Sequence, residues 1–224
     1  MDEQKQSFFE IFIQTVIDRR FEILIALREH LVMSITSIII ATLISVPLGI
    51  FLSRRRKLAE PIITITALFQ TIPSIALLAF MITIPFLGIG KDSAIVALTI
   101  YSLLPILRNT YTGLVGVDPS IVEAGRGMGM TNNQVMFKIR LRLALPVIMA
   151  GLRTATVITI GVTTLATFIG AGGLGDLIAT GLGTLRTDLI LAGAIPAALL
   201  ALVFDGFLRW VERRATPRGI KKNI

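Results

Sequence analysis

The chain has no cysteine, a single histidine and few charged or aromatic side chains. Without cysteine there is no disulfide framework, thiolate metal site or cysteine nucleophile, and one imidazole cannot form a histidine cluster. Only 16% of the residues are charged, whereas a soluble domain has about 25%. Such a chain cannot keep a polar surface in water, so a soluble globular domain is excluded.

Aromatic residues make up 7% of the chain, and the formal net charge is +8. A nucleic-acid-binding face needs basic residues interleaved with aromatics that stack on bases, and this sequence is too poor in aromatics for that. Apolar residues dominate instead, at 54% with a mean hydropathy of +0.80. We therefore predict an integral membrane protein that binds no nucleic acid.

Five apolar runs have the character of membrane spans, which need about 20 residues to cross a bilayer core. They are 31–52, 62–90, 93–107, 154–175 and 189–204, and the second is long enough for a span plus a loop. Upstream of them, apolar and charged residues alternate with helical spacing over 7–28. That pattern predicts an amphipathic helix at the membrane interface.

The Lys and Arg residues are distributed unevenly between the two sides of these spans, with 15 on one side and six on the other. Because cytoplasmic loops carry the excess, we expect the N-terminus outside and the C-terminus in the cytoplasm. The fold class predicted is an all-α membrane protein with about five transmembrane helices. Its parts are an amphipathic N-terminal segment (1–30), a transmembrane domain (31–210) with a cytoplasmic loop (118–145), and a basic cytoplasmic tail (211–224).

The loop between spans three and four carries signals for two helices. At the first, Ser120 and Glu123 match a capping box, or alternatively Asp118 is the cap with Pro119 at the first helical position. Either way a helix begins here, and it is soon ended by the glycines that favour a left-handed cap. These are Gly125, Gly127 and Gly129.

A second capping box, Thr131 with Gln134, predicts another helix over about 132–145, after which Pro146 begins span four. Two stripes with different chemistry run along this helix. The apolar stripe is Val135, Ile139 and Leu143, and the basic stripe is Lys138 and Arg142. We expect the apolar stripe to face the helix bundle and the basic stripe to face the cytosol.

These residues resemble a known motif. Glu123, Ala124 and Gly125, followed by Gly129 and then Ile139, are similar to the EAA signature of permease subunits of binding-protein-dependent ABC importers. Gly125 stands where the pattern has alanine, and Leu141-Arg142 stands where it has Leu-Pro. The resemblance implies the type I ABC importer permease fold and a role for these five residues in coupling to a cytoplasmic ATPase.

Three further segments narrow the resemblance to permeases for glycine betaine, carnitine and choline. They are Phe69–Ser74, Leu104–Gly113 and Phe168–Asp176. The resemblance implies the pore subunit of an ATP-driven importer of quaternary amine osmoprotectants in the cell membrane. The implied partners are cytoplasmic ABC ATPases, a second permease of the same or a sister chain, and an extracytoplasmic substrate-binding protein.

The sequence holds no GxxxxGK[ST] phosphate loop and no cluster of acids, bases or metal ligands, so we expect neither a cofactor nor enzymatic activity. Gly170–Gly175 spells G-x-G-x-x-G. A dinucleotide site would also need a βαβ unit, so we interpret the motif as an external glycine turn with close helix packing. His30, Lys91 and Arg186 are interpreted as boundary residues.

Two groups of polar residues are candidates for lining a solute path. The first is a hydroxyl stripe on span four, and the second flanks Pro73 at a kink in span two. The stripe consists of Thr156, Thr159, Thr163 and Thr167. The group beside Pro73 consists of Gln70, Thr71 and Ser74. The alternatives are threonines that bond to their own helix and help helices pack, and a kink that is only structural.

Other functions remain open at this point. One is an ABC importer permease for another small solute such as an amino acid, and another is a self-contained secondary transporter. Ion-coupled transporters usually place ionisable groups inside the membrane, and no Asp or Glu lies in the central part of a predicted span. An integral membrane enzyme is a third alternative, without any residue cluster to support it.

Overall fold

The structure, a computed structural model, describes residues 8–216 as helices joined by short turns, with no β-strand among them. The helices are α1 (Phe8–Asp18), α2 (Arg20–Arg54), α3 (Arg56–Thr71), α4 (Ser74–Ile82), α5 (Lys91–Val115), α6 (Pro119–Gly127), α7 (Asn132–Gln134), α8 (Leu141–Thr163), α9 (Gly175–Gly183) and α10 (Thr187–Ala215). A π-helical turn, Val135–Arg140, joins α7 to α8, and a 3₁₀ helix, Thr164–Ile169, follows α8. The beginning of the predicted N-terminal segment (1–7) and most of the predicted basic tail (217–224) lie outside the described residues.

Four helical segments of the described chain are long and apolar enough to cross a membrane, and the broken pair α3 and α4 makes a fifth if it is counted as one span. The four are α2, α5, the uninterrupted run Asn132–Ile169 and α10. Each coincides with a predicted apolar run, which confirms the prediction of about five spanning helices. α2, α5 and α10 extend beyond their uncharged runs at both ends, because long charged side chains near a helix end reach water while the backbone stays helical. The run Asn132–Ile169 begins before its uncharged run and ends six residues short of residue 175.

The N-terminal helix predicted over 7–28 is divided in the structure. α1 ends at Asp18, and the residues from Arg20 onward begin α2. The Thr15 hydroxyl donates a 2.6 Å hydrogen bond to Asp188 Oδ2, and both groups are buried. This contact with the first turn of α10 fixes the course of α1, which a local amphipathic pattern cannot foresee.

Two prolines behave differently from one another. Pro73 separates α3 from α4, and its carbonyl accepts the N–H groups of Ala76 and Leu77 at 2.9 and 3.0 Å, so the predicted break is confirmed. Pro146, in contrast, lies inside α8. The prediction that a loop helix ends near residue 145 and span four starts at Pro146 is therefore wrong. Spanning helices tolerate proline because neighbouring groups satisfy the freed carbonyl.

The backbone divides into two compact units. The first unit comprises Met1–Ser37, Ile72–Leu98 and Ile158–Leu202. Its buried cluster joins Ala26 of α2 to Leu174, Leu177 and Ala197, which lie on and around α9 and α10. The buried His30 ring contributes a 3.0 Å contact between Nε2 and the Ile160 carbonyl oxygen.

The second unit comprises Ile38–Thr71, Thr99–Val157 and Val203–Ile224. Its apolar clusters form where α2, α5 and α8 pack together. One cluster contains Ala41, Ile106 and Ala155. Another contains Leu114, Met136, Ala144 and Ile148. Small residues allow these helices to approach closely, as at Gly151, where an added Cβ would lie 2.7 Å from the Pro105 carbonyl oxygen.

A charged network ties α8 to α10 within this unit. Arg153 Nε donates to Asp205 Oδ1 at 2.8 Å, and its Nη1 donates to Glu212 Oε2 at 3.3 Å. Charges on spanning helices are costly unless they are paired. Here the Arg153 guanidinium and the carboxylates of Asp205 and Glu212 neutralise one another. In the sequence, Arg153 lies early in span four with no oppositely charged residue nearby. A search for opposite charges on other predicted spans would have been the way to find Asp205.

Candidate functional site

The candidate site is the hairpin formed by α6, the turn 128–131 and the first turns of the helical run Asn132–Ile169. α6 begins with Asp118 as its cap and Pro119 at the first position, which selects the second of the two predicted starts. Asp118 Oδ1 accepts the Ser120 N–H at 2.8 Å. Hydrogen bonds from the Ser120 hydroxyl and N–H hold the pKa of the Asp118 carboxyl below its ordinary value.

The second helix of the hairpin begins with the predicted capping box. The Gln134 N–H donates to Thr131 Oγ1 at 3.3 Å, and the Thr131 N–H donates to Gln134 Oε1 at 2.8 Å. Both bonds satisfy N–H groups that a helix start leaves without partners. The turn between the helices contains Gly129 at a φ of +81°, a left-handed conformation that glycine adopts without strain.

We expect Thr131→Ala to weaken the hairpin by about 1 kcal/mol, because it removes the acceptor of the Gln134 N–H. The measurement is the thermal unfolding midpoint of the purified protein in detergent. Thr131→Ser keeps the hydroxyl and serves as the control. Equal midpoints for the alanine and serine variants would contradict a capping role.

The two helices of the hairpin are packed tightly against each other. A Cβ on Gly125 would collide with Ile139 Cδ1, and the same Cβ would lie 3.4 Å from Met130 Sδ. Val122 of α6 and Val135 of the following π turn are both buried in a cluster with Val117. The EAA signature has alanine at this position, where the present chain has Gly125. The structure gives a reason, since Ile139 occupies the space that an alanine methyl group would need.

The opposite face of the hairpin is open. Glu123 and Ala124 are exposed on α6, and so are Lys138 and Arg142 on the following helix. This agrees with the predicted division into an apolar stripe that packs inward and a basic stripe that does not. Large apolar side chains accompany these charges on the exposed surface, and they are Ile121, Met128 and Phe137. A surface that mixes exposed apolar anchors with charges has the character of a protein-binding face.

Among the predicted coupling residues, the structure brings Gly125 and Ile139 into direct apposition and leaves Glu123, Ala124 and Gly129 exposed. The exposed residues make the open face, and the apposed pair attaches α6 to the helix behind it. The hairpin therefore has an exposed side and a side that packs on the beginning of the helical run Asn132–Ile169.

The hydroxyl stripe of span four faces inward. Thr156, Thr159 and Thr163 are buried, and Thr167 is half-buried. Thr156 Oγ1 donates to the Leu152 carbonyl at 2.8 Å, and Thr163 Oγ1 donates to the Thr159 carbonyl at 2.7 Å while also contacting Ser34 Oγ at 3.0 Å. These contacts favour a role in helix packing, and the pore-lining role stays a prediction.

The polar residues beside Pro73 have separate surroundings. Gln70 Nε2 donates to the Tyr101 carbonyl at 2.8 Å, which ties α3 to α5. Thr71 is exposed and donates to the Leu68 carbonyl at 2.7 Å, and Ser74 is half-buried at the start of α4. Gln70 therefore has a structural bond of its own, and the solute path through Thr71 and Ser74 stays a prediction.

The glycine-rich segment 170–175 forms a tight turn, as predicted. Gly170, Gly172 and Gly173 have φ of 67°, 84° and 93°. The Gly173 N–H donates to Glu29 Oε2 at 3.2 Å, and Glu29 Oε1 accepts from Lys91 Nζ at 2.9 Å.

Sequence reasoning missed the contacts of its three boundary residues. Lys91 pairs with the carboxylate that anchors the glycine turn, and Arg186 Nη2 donates to Asp188 Oδ2 at 2.5 Å. His30 is completely buried. For Lys91 and Arg186 the available signal was a charge at the end of an apolar helix. The partner of Lys91, however, is Glu29, which is 62 positions away in the sequence.

Comparison with known proteins adds independent information. Residues 45–217 match the family described as "Binding-protein-dependent transport system inner membrane component". The choline transport system permease protein OpuBB of Bacillus subtilis is 49% identical over 201 residues, which are 90% of this chain and 92% of that protein. The glycine betaine/carnitine/choline transport system permease protein OpuCB of the same organism is 46% identical over 89% of this chain and 91% of its own length.

A solved structure gives the same result for the fold. A chain of the MetNI methionine ABC transporter in an inward-facing conformation superposes with a TM-score of 0.79 at 25% identity, covering 89% of this chain and 99% of that one. The all-helical architecture described above is thus the one found in an ABC importer.

Proposed function

Because this chain belongs to the family of binding-protein-dependent transport system inner membrane components, we propose that it is the pore subunit of an ATP-driven importer for a quaternary amine osmoprotectant. Glycine betaine, carnitine and choline are the candidate cargoes. They are the solutes in the names of relatives that are 49% and 46% identical over most of the chain. In this role the protein itself catalyses no reaction, and it lies in the cell membrane with the hairpin in the cytoplasm.

The observation that carries the coupling part of this proposal is the two-sided hairpin. Its exposed surface includes Glu123 and large apolar side chains, and its closed face packs Gly125 against Ile139. A cytoplasmic ATPase that binds the exposed surface of the hairpin moves α6. The close contact of Gly125 with Ile139 transmits this displacement to the helical run Asn132–Ile169. Cores behave as packed solids that transmit strain, so nucleotide-driven motion reaches a membrane-spanning helix without an intervening flexible linker.

The charges of α10 argue against the secondary transporter. Asp188 is paired with Arg186, and Asp205 and Glu212 are paired with Arg153. Ion-coupled carriers depend on intramembrane carboxylates that exchange protons or cations, and these three carboxylates are already occupied. Energy from an external ATPase is the consistent alternative, with cargo affinity residing in a separate binding protein.

Uptake by a reconstituted complex tests the function. Proteoliposomes containing this permease, its ATPase and its binding protein are expected to accumulate labelled glycine betaine, carnitine or choline only when ATP is enclosed with the ATPase. Vesicles with this chain alone are expected to accumulate none. Uptake of an amino acid in place of all three amines would favour the amino-acid importer, and accumulation by the chain alone would favour the secondary transporter.

Cysteine accessibility tests the pore-lining stripe, and the cysteine-free chain gives a clean background. We expect Thr163→Cys and Thr167→Cys to react with a thiol reagent during turnover, because the solute path must be wet in at least one state. Ala155→Cys is the matched control, since Ala155 is fully buried on the same helix and outside the stripe. Protection of every stripe position in all transport states would leave helix packing as the role of the threonines.

A further inference from the structure

A basic cavity lies beside the hairpin in the second unit. It has a volume of about 420 Å³ and is lined from α2, α3, α6 and the beginning of the run Asn132–Ile169. The lining residues are Ser53, Arg54, Arg56, Arg126, Asn132, Val135, Met136 and Arg140. Four of these described residues carry guanidinium groups and none is acidic, so the cavity concentrates positive charge that its own walls do not neutralise.

Arg140 is half-buried, whereas the other three arginines are exposed, and the Arg140 guanidinium group is incompletely bonded. Arg140 Nε is shielded from solvent and has no hydrogen-bond partner within the described chain. Arg126 and Arg56 line the same cavity as Arg140, so three cations surround one space. A buried N–H without an acceptor and a group of like charges are each unfavourable. Both are relieved by the same event, the entry of an anion.

Arg54 is held at the wall of the cavity. Its Nη2 donates to Asn133 Oδ1 at 3.0 Å, which joins the end of α2 to the start of the helical run that leaves the hairpin. A bond of this kind orients the side chain before any ligand arrives. Ligand binding then costs less ordering of the side chain.

We propose that this cavity is a binding site for a phosphate-class oxyanion, either inorganic phosphate or the phosphate of an anionic lipid headgroup. Guanidinium groups present planar pairs of N–H donors that match phosphate oxygens. A phosphate offers several oxygens to several cations at once, whereas a single carboxylate offers two. The cavity is also much larger than the roughly 30 Å³ share of one water molecule, so a hydrated phosphate or a phosphoglycerol headgroup has room.

The position of the site gives it a structural consequence. Arg126 belongs to α6, while Arg54 and Arg56 belong to the ends of two other helices, and Arg140 follows the hairpin turn. One bound oxyanion bridges all four elements. Occupancy therefore stabilises the hairpin against the rest of the second unit, and this effect is independent of the cargo and of the transport function.

The test uses the purified full-length chain in phosphatidylcholine nanodiscs. Millimolar inorganic phosphate is expected to raise the thermal unfolding midpoint, and sodium chloride of equal ionic strength is not. A second arm replaces part of the phosphatidylcholine with phosphatidylglycerol in the absence of phosphate. A shift in the first arm identifies the free ion as a ligand, a shift confined to the second identifies the lipid, and either outcome supports the site.

Variants separate this cavity from general basicity. Arg140→Gln is expected to weaken phosphate binding, measured by calorimetry, by at least about tenfold, which is roughly 1.4 kcal/mol. Arg142→Gln is the matched control, since Arg142 is an exposed arginine two residues away that does not line the cavity. Without any anion, Arg140→Gln is expected to be no less stable than the unaltered protein, because it removes charge repulsion.

Three results would overturn the proposal. The first is the absence of any shift with phosphate or phosphatidylglycerol beyond that of sodium chloride. The second is an equal loss of binding in Arg140→Gln and Arg142→Gln. The third is a crosslink that places a carboxylate of the ATPase subunit in the cavity, together with no effect of phosphate on the isolated permease.

Discussion

Gly175→Ala is expected to destabilise the protein by about 3 kcal/mol or more, because the new methyl group has no free space. At this position an added Cβ would collide with the Thr164 carbonyl oxygen and lie 2.8 Å from the Thr164 carbonyl carbon. These are backbone atoms, so no side-chain rotation can relieve the clash. For a protein of this size the loss corresponds to a decrease of roughly 6–12 °C in the unfolding midpoint.

The matched control lies in the same helix. Gly183 ends α9, and an added Cβ there meets nothing within 4 Å. Gly183→Ala is expected to be neutral or stabilising by up to about 1 kcal/mol, since alanine has the higher helix propensity. The comparison requires both variants to be purified in detergent and unfolded by heat. Similar midpoints for the two would refute the close packing of α9 against the 3₁₀ helix.

Glu123→Ala is expected to reduce ATP-driven uptake by at least about tenfold, while leaving the stability of the permease unchanged. The Glu123 side chain is exposed, and within the described chain it makes no hydrogen bond or ion pair. Its removal therefore costs the isolated subunit nothing. Truncating one partner of a hydrogen-bonded charge pair that is buried at an interface costs about 2–5 kcal/mol, so the loss is expected only in the complex with the proposed ATPase.

Uptake and ATP hydrolysis are measured together for this variant. Continued hydrolysis without uptake is the expected signature of lost coupling. Glu60→Ala is the control, because Glu60 is also an exposed glutamate but lies on α3, outside the hairpin. Unimpaired uptake in Glu123→Ala, or an equal loss in Glu60→Ala, would remove Glu123 from the coupling surface.

Local features of the fold could be predicted from the sequence because their causes lie within a few residues. Asp118 and Thr131 cap the helices that follow them, and Pro73 breaks a span at its own position. Pro146 was misjudged for a physical reason, since a proline that would end a helix in water is tolerated inside a spanning helix.

Contacts between distant segments could not be predicted in this way. Arg153 finds Asp205 across 52 positions, and the Gly173 N–H finds Glu29 across 144. The motif around Glu123 predicts a coupling element, yet the contact between position 125 and Ile139 became visible only in the structure. Charges and glycines in the sequence indicate that a residue has a contact elsewhere in the chain, and only the packed structure shows which residue it contacts.

The π-helical turn Val135–Arg140 has a consequence for how such hairpins diverge. A π turn holds one residue more than an α turn over the same rotation, so an extra residue is absorbed here while the flanking helical segments keep their faces. Deleting one residue at this turn would restore regular α-helical winding, whereas the same deletion in the regular part of α8 would rotate the residues beyond it by about 100°. A one-residue difference in length between positions 135 and 140 is therefore compatible with a hairpin that keeps the orientation described here.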